Sequence, residues 1–352
     1  MHSSHTDECF CCLGLNYRTA PVAVRERFAV PQRVLVPTCA ALAALPEVGQ
    51  CVLLSTCNRT EVYYTAADPE GAARSILAHF LGAQRDGATC FYRYHAAEAL
   101  THLACVAAGL DSMVIGETEI FGQLKDAYRA ALEAQSVAGL MHRVFQRVFS
   151  IGKKVRSSTS VTSGPTSVGA AAVLFAQRML GELAGANVLV VGAGEVARST
   201  AQSLRSRGAR SIFVANRSYE RAVELAEKVG GRVIRFAEWV PYLAQIDIVI
   251  VSTAAPVYVV SPQVLQQACP NRQGRPLVLI DLSVPRNVDP ACGELEGVML
   301  YDIDAMQSLA EQTLQHRAEA VEQGMRLIEE WVREQEAELL PGGVNDVFSK
   351  KV

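Results

Sequence analysis

The chain has 352 residues, half of them hydrophobic and a fifth of them charged, which is the composition of a globular protein with more than one domain. Its formal net charge of −3 gives no overall attraction to nucleic acids or membranes, so a polyanionic partner requires a local basic patch. No apolar run approaches the roughly 20 residues that span a bilayer, so we expect a cytoplasmic protein without membrane association.

The first predicted strand, residues 10–15, contains part of a cysteine cluster formed by Cys9, Cys11 and Cys12. No second pair of cysteines or histidines at metal-ligand spacing accompanies this cluster, so we predict a structural or incidental role for it and no metal site. A metal or haem contact is the alternative. The ten cysteines of the chain are scattered rather than regularly spaced. That distribution is typical of a protein from a reducing cytosol and not of a disulfide scaffold.

A buried strand is predicted over residues 51–54, and it ends at the sequence Ser-Thr-Cys-Asn-Arg-Thr-Glu, which leads into another predicted strand over 61–65. The thiol of Cys57 therefore lies two residues before the guanidinium of Arg59. A nearby cation lowers the pKa of a thiol, and an arginine binds a carboxylate through two parallel hydrogen bonds. This loop suits a nucleophile together with the anchor of an acidic substrate. A structural cysteine beside a surface arginine is the alternative.

Two helices are predicted in the rest of the N-terminal domain, which we place at residues 1–155. His95 and His102 are seven residues apart at the helix predicted over 96–110, so we expect them to share a face. The helix predicted over 141–156 has no acidic residue and is a candidate for phosphate contacts with a nucleic acid. A basic face exposed to solvent is the alternative. The cations of this helix are Arg143, Arg147, Lys153, Lys154 and Arg156.

After a linker predicted at 156–165, a buried strand over 186–191 leads into a glycine-rich turn and then a helix that reaches Arg205. The glycines permit a tight turn and the close approach of a pyrophosphate, and the small third residue lets the helix pack against the strand. The order of strand, turn and helix supports a dinucleotide site. The turn has the pattern G-x-G-x-x-A and consists of Gly192, Ala193, Gly194, Glu195, Val196 and Ala197.

The next predicted strand, residues 211–215, ends at Asn216, Arg217 and Ser218. An acidic residue at this point would bind the ribose 2′-hydroxyl of NAD. An arginine between two hydrogen-bonding side chains suits the 2′-phosphate of NADP instead. The sequence therefore predicts NADPH as the cofactor, and a solvated arginine in a turn is the alternative.

Further strands are predicted over 247–252, 277–282 and 297–301, and they alternate with helices as in a doubly wound parallel sheet. We therefore predict an α/β protein with an N-terminal α+β domain, a doubly wound, Rossmann-type NADP domain over 166–304 and a long C-terminal helix over 305–340, followed by a tail over 341–352. The helix carries an apolar seam at heptad spacing. The seam consists of Leu314, Ala318, Val321, Met325, Ile328 and Val332.

Together these motifs resemble the glutamyl-tRNA reductase family, whose members use NADPH in the first step of the five-carbon route to 5-aminolevulinate, tetrapyrroles and haem. The resemblance extends from Leu13 to about Trp331. It rests on five ordered segments, at residues 14–21, 55–61, 109–117, 192–197 and 281–286. It implies that the N-terminal domain binds charged tRNA(Glu) and that the last helix is the linking "spinal" helix of the family.

The resemblance also implies roles for single residues. Cys57 would attack the ester of glutamyl-tRNA to give a thioester, which hydride from NADPH would reduce to glutamate-1-semialdehyde. His102 would handle a proton or orient a reacting group, and Arg59 would bind the free carboxylate of the substrate. The other implied substrate contacts are Thr56, Asn58, Ser112, Glu117, Glu119 and Gln123.

Two departures from the family qualify these expectations. The family usually reads Glu-Pro-Gln where this chain reads Glu117-Thr118-Glu119, and an added carboxylate near an acidic substrate weakens its binding by repulsion. The family also continues into a helical dimerisation domain, whereas this sequence ends at Val352. We therefore expect a monomer, or a weak dimer through exposed Ile328, Trp331 and Val332. The downstream semialdehyde aminomutase is a further candidate partner.

Two other functions compete with the reductase. A different NADP-dependent dehydrogenase, of the shikimate-dehydrogenase type, would account for residues 185–304 but would give the Cys57 loop no role. A catalytically weak tRNA-binding regulatory relative would account for Glu119. The intact Cys57, Arg59 and glycine-rich turn argue against this relative.

Overall fold

The computed structural model describes residues 8–82, 87–162, 167–209, 211–268, 272, 275–306 and 318–340. These residues fall into two units. The first unit comprises Met1–Ala20, Phe28–Ser163 and His316–Val352, and the second comprises Pro21–Arg27 and Gly164–Gln315. The units therefore differ from the predicted domains in three segments, one of which is residues 156–162 of the predicted linker, which belong to the first unit. A short N-terminal segment belongs to the second unit, and the last described helix belongs to the first.

A four-stranded antiparallel sheet organises the first unit, in the order β2-β3-β1-β4. The predicted strands over 10–15, 51–54 and 61–65 are confirmed, and each is slightly longer than predicted. Strand β4 was not predicted, because its sequence Tyr-Arg-Tyr-His has no apolar run. The strands are β1 Cys9–Asn16, β2 Gln50–Ser55, β3 Arg59–Ala66 and β4 Tyr92–His95.

Helices cover this sheet and supply most of the remaining core of the unit. The two predicted helices are confirmed as α4, which packs on β1, and α6, which packs on α4. The helices that lie wholly in this unit before residue 163 are α2 Leu35–Ala43, α3 Pro69–Leu81, α4 Ala96–Ala108, α5 Glu119–Glu133 and α6 Gly139–Ser158. A short helix α1, Val22–Phe28, precedes them and lies almost entirely in the second unit.

A six-stranded parallel sheet forms the centre of the second unit, in the order β10-β9-β8-β5-β6-β7. Numbered from β5 onward, this is the 3-2-1-4-5-6 order of a doubly wound nucleotide-binding fold. The predicted α/β class is thereby confirmed. The strands are β5 Asn187–Val191, β6 Ser211–Asn216, β7 Arg232–Arg235, β8 Ile248–Val251, β9 Leu277–Asp281 and β10 Val298–Asp302.

Four further helices accompany this sheet, namely α7 Val168–Leu180, α8 Glu195–Ser206, α9 Tyr219–Val229 and α10 Pro262–Ala268. The N-terminal segment joins the unit through ion pairs. Arg25 Nη1 lies 2.9 Å from Asp304 Oδ1, and Arg286 Nη2 lies 2.7 Å from Glu26 Oε1. These contacts account for the assignment of residues 21–27 to the second unit.

The last helix differs from its prediction in the residue at which it begins and in the burial of its apolar side chains. A 3₁₀ turn, Ile303–Met306, occupies the predicted start, and the described α-helix is α11, Ala318–Leu339. Leu314 lies outside the described residues. The expectation that the distal seam is exposed is wrong, because Ile328 is 0% and Val332 is 6% exposed. Within the first unit, α11 packs against α4 and α6, and these helices cover the distal part of the seam, whereas Ala318 is exposed and Val321 and Met325 are half-buried. None of the described helices is long and apolar enough for a membrane span.

Candidate active site

The thiol of Cys57 lies at the tip of the hairpin between β2 and β3. The backbone N–H of Thr56 donates to the carbonyl oxygen of Arg59 at 2.8 Å. The Oγ1 of Thr56 accepts from the backbone N–H groups of Asn58 and Arg59, at 3.1 and 3.2 Å. These bonds close the turn and leave Cys57 and Asn58 as its two central residues. Asn58 is buried, whereas Cys57 is half-buried, so the thiol is the reactive side chain that this turn presents.

Arg59 begins β3 and is buried among carboxylates. Its Nη1 donates to Glu61 Oε1 at 2.6 Å and to Asp111 Oδ2 at 3.0 Å, and its Nη2 donates to the Asp111 carbonyl. The side chain is only 1% exposed. We expected this guanidinium to bind the carboxylate of a substrate, and the structure instead shows both of its Nη atoms bound to groups of the protein.

Glu61 is the centre of this charged cluster. Its Oε1 accepts from Arg59 and lies 2.9 Å from His102 Nε2, and its Oε2 accepts from the hydroxyl of Tyr63 at 2.5 Å. The hydroxyl of Tyr92 also donates to Oε1. Burial alone would raise the pKa of Glu61, but the charges of Arg59 and His102 outweigh burial and hold the pKa well below its usual range. Glu61 is therefore a permanent carboxylate.

His102 lies on α4 and is 10% exposed. Its Nε2 faces Glu61, and its Nδ1 lies 3.9 Å from Asp111 Oδ2, beyond hydrogen-bond distance. The rings of Tyr92 and Tyr94 pack against the imidazole, with centroids 5.5 and 4.9 Å away. The ring is thus fixed in position by one carboxylate and by aromatic neighbours. The expectation that His95 shares a face with His102 is wrong, because His95 ends β4 and its ring faces Cys11.

Asp111 connects this buried cluster with an exposed cation. Its Oδ2 accepts from Arg59, and its Oδ1 lies 3.1 Å from the Nη1 of Arg18. Arg18 is 55% exposed, and its Nε donates to the hydroxyl of Tyr17 at 3.0 Å. A carboxylate is therefore held between two guanidinium groups, one buried and one accessible.

The loop after α4 places Ser112 and Glu117 in the interior, both less than a tenth exposed. Gly116 makes its path possible, because its φ is +77° and a Cβ would lie 1.9 Å from the Val161 carbonyl oxygen. Burial, and secondarily the charge of Glu119, raises the pKa of Glu117 to about 7. We expected the charge of Glu119 to repel an acidic substrate. In the structure that charge raises the pKa of Glu117. Glu119 begins α5, and Gln123 is half-buried one turn later.

The glycine-rich turn of the second unit lies between β5 and α8. Gly192 has φ +122°, and a Cβ there would lie 1.9 Å from the Ser252 carbonyl oxygen, so only glycine fits. Gly194 precedes α8, and no atom lies within 4 Å of a Cβ built on it, which leaves a backbone cradle at the helix N-terminus. Ala197 is 0% exposed, as its predicted packing role requires. Ala193 is buried, Val196 half-buried and Glu195 exposed.

The predicted 2′-phosphate site lies at the same edge of this sheet. Val191 of β5 pairs with Ala215 of β6 in parallel register, so Asn216 and Arg217 follow the carboxyl end of the neighbouring strand. Arg217 is exposed. Ser218 caps α9 and donates from its hydroxyl to Glu220, so its side chain supports the turn.

The basic face of α6 divides into two parts. Arg147 pairs with Glu338 of α11 at 2.6 Å, and Arg156 donates to the Glu117 carbonyl oxygen at 2.7 Å. Arg143, Lys153 and Lys154 are exposed. Arg147 is also 43% exposed, but it is paired with Glu338, so we take these three as the cations of the predicted set that are available to a partner.

The sequence reasoning assigned no role to Glu61, Asp111 or Arg18. A signal for Glu61 was present, because it lies two residues after Arg59 on a strand, and such residues share a face. Asp111 and Arg18 had no local signal, since both meet Arg59 only through the fold.

Comparison with known proteins gives a consistent result across most of the chain. Residues 13–159 match the family model for the glutamyl-tRNA(Glu) reductase N-terminal domain, and residues 174–309 match that for shikimate/quinate 5-dehydrogenase. A glutamyl-tRNA reductase of Akkermansia muciniphila is 49% identical over 313 residues, which are 88% of this chain and 92% of the relative. One from Desulforudis audaxviator is 42% identical over 92% of this chain and 73% of its own. The solved glutamyl-tRNA reductase of Methanopyrus kandleri is 35% identical, with a TM-score of 0.50, over 95% of this chain and 80% of that one.

Proposed function

The chain belongs to the glutamyl-tRNA reductase family, and on that premise we propose that Cys57 is the nucleophile of the reaction. Members of this family are NADPH-dependent oxidoreductases that act on glutamyl-tRNA in the first step of tetrapyrrole synthesis. The observation that carries the proposal is the position of Cys57, a half-buried thiol at the tip of the β2–β3 hairpin, two residues from the Arg59–Glu61 cluster.

The proposed first step forms a bond between Cys57 Sγ and the ester carbonyl carbon of glutamyl-tRNA. The bond from that carbon to the tRNA oxygen breaks, the tRNA leaves after its oxygen gains a proton, and a glutamyl thioester remains. A thiolate suits this exchange because covalent catalysis divides one difficult displacement into two easier ones. We assign proton handling to His102. Since its Nε2 faces Glu61, its Nδ1 is the nitrogen left for proton exchange.

The second unit supplies the residues for NADPH, and they fit this cofactor. Gly192 permits the tight turn, and Gly194 leaves a backbone cradle at the N-terminus of α8, where a pyrophosphate binds favourably. Arg217 is an exposed cation at the adjacent strand end, suited to a 2′-phosphate. When bound, NADPH supplies the hydride that reduces the thioester carbon, so that glutamate-1-semialdehyde leaves and the Cys57 thiolate is restored.

We propose that the free carboxylate of the substrate binds at the Arg59–Arg18 pair. The carboxylate of Asp111 now lies between these two guanidinium groups, which marks the position as one that favours an anion. An incoming carboxylate would exchange with Asp111, which is 13% exposed, whereas fully buried Glu61 would keep its contact with Arg59. Thr56, Asn58, Ser112, Glu117, Glu119 and Gln123 remain the other proposed substrate contacts.

The exposed cations of α6 are the proposed contacts with the tRNA backbone. Arg143, Lys153 and Lys154 are not covered by other parts of the described chain, and basic side chains on one helix suit phosphate groups. Loss of two phosphate contacts reduces the slope of log affinity against log salt by roughly two. Filter binding of tRNA(Glu) to a Lys153→Glu, Lys154→Glu protein tests this, and an unchanged slope would exclude these side chains.

We further propose a monomer, because α4 and α6 cover the seam that would otherwise have mediated a weak dimer. The downstream aminomutase remains the proposed recipient of the aldehyde, since an unstable product favours direct transfer. The shikimate-dehydrogenase alternative is not favoured, because that family's match is confined to residues 174–309.

The decisive experiment for this function supplies purified protein with glutamyl-tRNA and NADPH and measures both NADPH oxidation and aldehyde formation. The proposal expects both products with glutamyl-tRNA. It expects neither product with uncharged tRNA plus free glutamate, and no NADP reduction with shikimate. Turnover of shikimate, or tRNA binding without any reduction, would favour one of the two competing functions.

A further inference from the structure

Two cysteines and a histidine meet at the edge of the antiparallel sheet, away from the Cys57 hairpin. Cys9 and Cys11 are alternate residues of β1, so their side chains share one face of the strand. Cys11 is directly opposite His95 in the register of β1 and β4, and its Sγ lies 3.4 Å from the Nδ1 of His95. The two sulfur atoms and a ring nitrogen all lie within 4.8 Å of one another.

We propose that Cys9, Cys11 and His95 bind a thiophilic divalent cation of the zinc class. Tetrahedral zinc with Zn–S near 2.3 Å and Zn–N near 2.0 Å separates two sulfur ligands by about 3.8 Å and a sulfur from a nitrogen by about 3.5 Å. The observed 3.4 Å between Cys11 and His95 is already close to this spacing. Thiolate and imidazole are the donors that zinc prefers, and water would complete the four ligands.

A carboxylate behind the histidine supports the proposal. The Nε2 of His95 lies 3.7 Å from Glu70 Oε1, on the side of the ring opposite the nitrogen that faces Cys11. Arg93 holds the other oxygen of Glu70 at 2.8 Å. Histidines that bind a metal through one nitrogen commonly donate from the other to a carboxylate, which fixes the ring and its tautomer. At 3.7 Å this pair is just beyond hydrogen-bond distance, and Glu70 is 53% exposed, so we assign Glu70 as a positioning residue that would close on His95 when the ion binds.

The exposure of the ligands also suits an ion. Cys9 is half-buried and His95 is 36% exposed, which gives an ion a route to the ligands. By contrast, the Cys12, Glu61 and His102 group lies deeper, and its carboxylate is already bound by Arg59.

The bound ion would act as a clamp between strands. It would tie β1 to β4, an edge strand of four residues, at the point where β4 leads into α4. Because α4 carries His102, the clamp would stabilise the base of the helix that supports the candidate active site. A ligand that binds only the folded state raises its stability, so the melting temperature should rise with zinc concentration.

The test titrates zinc into reduced, metal-stripped protein in competition with a chromophoric chelator. The proposal expects one equivalent per chain, retained in the controls Cys57→Ser and Cys90→Ser, since Cys90 is a half-buried thiol outside the cluster. Cys9→Ser and His95→Gln should each fail to bind the zinc ion and should show no rise in melting temperature with zinc. Glu70→Gln should keep the stoichiometry but weaken binding roughly 10- to 100-fold.

Cobalt substitution adds a readout that reports the ligands themselves. Wild-type protein should show a thiolate-to-cobalt charge-transfer band, and Cys9→Ser should lose it. His95→Gln alters a partly exposed side chain, so it tests the site even if Cys9→Ser fails to fold. Absence of a stoichiometric ion would overturn the proposal. So would binding that survives both Cys9→Ser and His95→Gln, or that disappears in Cys57→Ser.

Discussion

The carboxylate of Glu61 lies 2.9 Å from the imidazole of His102 and 2.6 Å from the guanidinium of Arg59. One buried charge thus fixes both the proposed proton-handling residue and the proposed substrate anchor. Residues that position a reacting group are most effective when their own side chains are locked by burial and hydrogen bonds. Glu61 meets this condition, because it is 0% exposed and bound by four side chains.

Replacement of Glu61 by glutamine should destabilise the protein by about 3–5 kcal/mol at pH 7, since removal of one partner leaves the buried Arg59 charge poorly compensated. The pKa of Glu61 is lowered in the folded state. Its contribution is therefore complete above the unfolded pKa of about 4.3 and is lost as the pH falls toward the folded value.

Urea unfolding of wild type and variant between pH 3 and pH 7 measures this difference, which should shrink in acid. Glu338→Gln is the control, because Glu338 is 52% exposed and pairs with Arg147 at the surface, where an ion pair contributes less than about 1 kcal/mol. Equal effects of the two substitutions would contradict the role of Glu61.

Glu117 should change the free energy of unfolding with pH in the direction opposite to Glu61. Its pKa is raised to about 7, so between pH 4.5 and 7 the folded protein binds more protons than the unfolded chain and loses stability as the pH rises. Glu117→Gln removes this loss and should gain on the order of 3 kcal/mol at pH 8, with a smaller gain at pH 5.

Glu119→Gln provides a matched variant for the same measurement. The charge of Glu119 contributes to the raised pKa of Glu117, so its removal should lower that pKa and flatten the loss of stability above pH 5. Glu133→Gln, at the exposed end of α5, is the control. If stability depends on pH equally in wild type and Glu117→Gln, the buried carboxyl does not titrate in this range.

Arg59→Lys should raise the KM for glutamyl-tRNA by roughly 10-fold or more, because lysine keeps the charge but lacks the planar fork that holds two oxygens. Arg18→Gln should raise KM less, since Arg18 is 55% exposed and solvent screens its charge. Arg129→Gln, an exposed arginine of α5, is the control. If KM rises in Arg18→Gln and not in Arg59→Lys, the exposed cation alone binds the substrate.

Arg217→Glu should shift cofactor preference from NADPH toward NADH by at least about 10-fold in kcat/KM, because a carboxylate repels a 2′-phosphate and accepts from a ribose hydroxyl. Steady-state kinetics with both cofactors measures the shift. Arg221→Glu, at an exposed position in the first turn of α9, controls for a general loss of positive charge. Equal losses with NADPH and NADH would indicate a folding defect and would contradict recognition by Arg217.

The sequence predicted those parts of the fold that depend on local patterns. The buried strands were predicted from apolar runs, and the glycine-rich turn from the requirement for a residue without a side chain at Gly192. The positions of these elements are confirmed within one or two residues. Strand β4 escaped prediction because Tyr92–His95 is polar, and its place depends on pairing with β1, some 80 residues earlier in the chain.

The partners of charged groups were less accessible to prediction. Arg59 meets Asp111 at a separation of 52 residues, so no local pattern shows that its charge is already compensated. The distal seam of α11 was predicted to be exposed, because the spacing of apolar residues identifies the apolar face of a helix but not the elements that pack against it. Such contacts depend on packing between distant segments, which one sequence does not specify.

The central claim is that Cys57 carries the glutamyl group, and a stalled reaction tests it most directly. Protein incubated with tRNA carrying labelled glutamate, without NADPH, is quenched in acid and digested for mass spectrometry. Cys57→Ser is the test variant, because a serine hydroxyl is not ionised near neutral pH. Cys51→Ser is the control, since Cys51 is buried in β2 and its thiol donates to the Cys39 carbonyl oxygen at 3.5 Å.

We predict one labelled glutamyl group per chain on the peptide that contains Cys57, released by hydroxylamine or by addition of NADPH. The label should persist in Cys51→Ser and be absent from Cys57→Ser, which should also lose turnover by on the order of 10³-fold or more. A label on another residue, or substantial aldehyde formation by Cys57→Ser, would contradict the account.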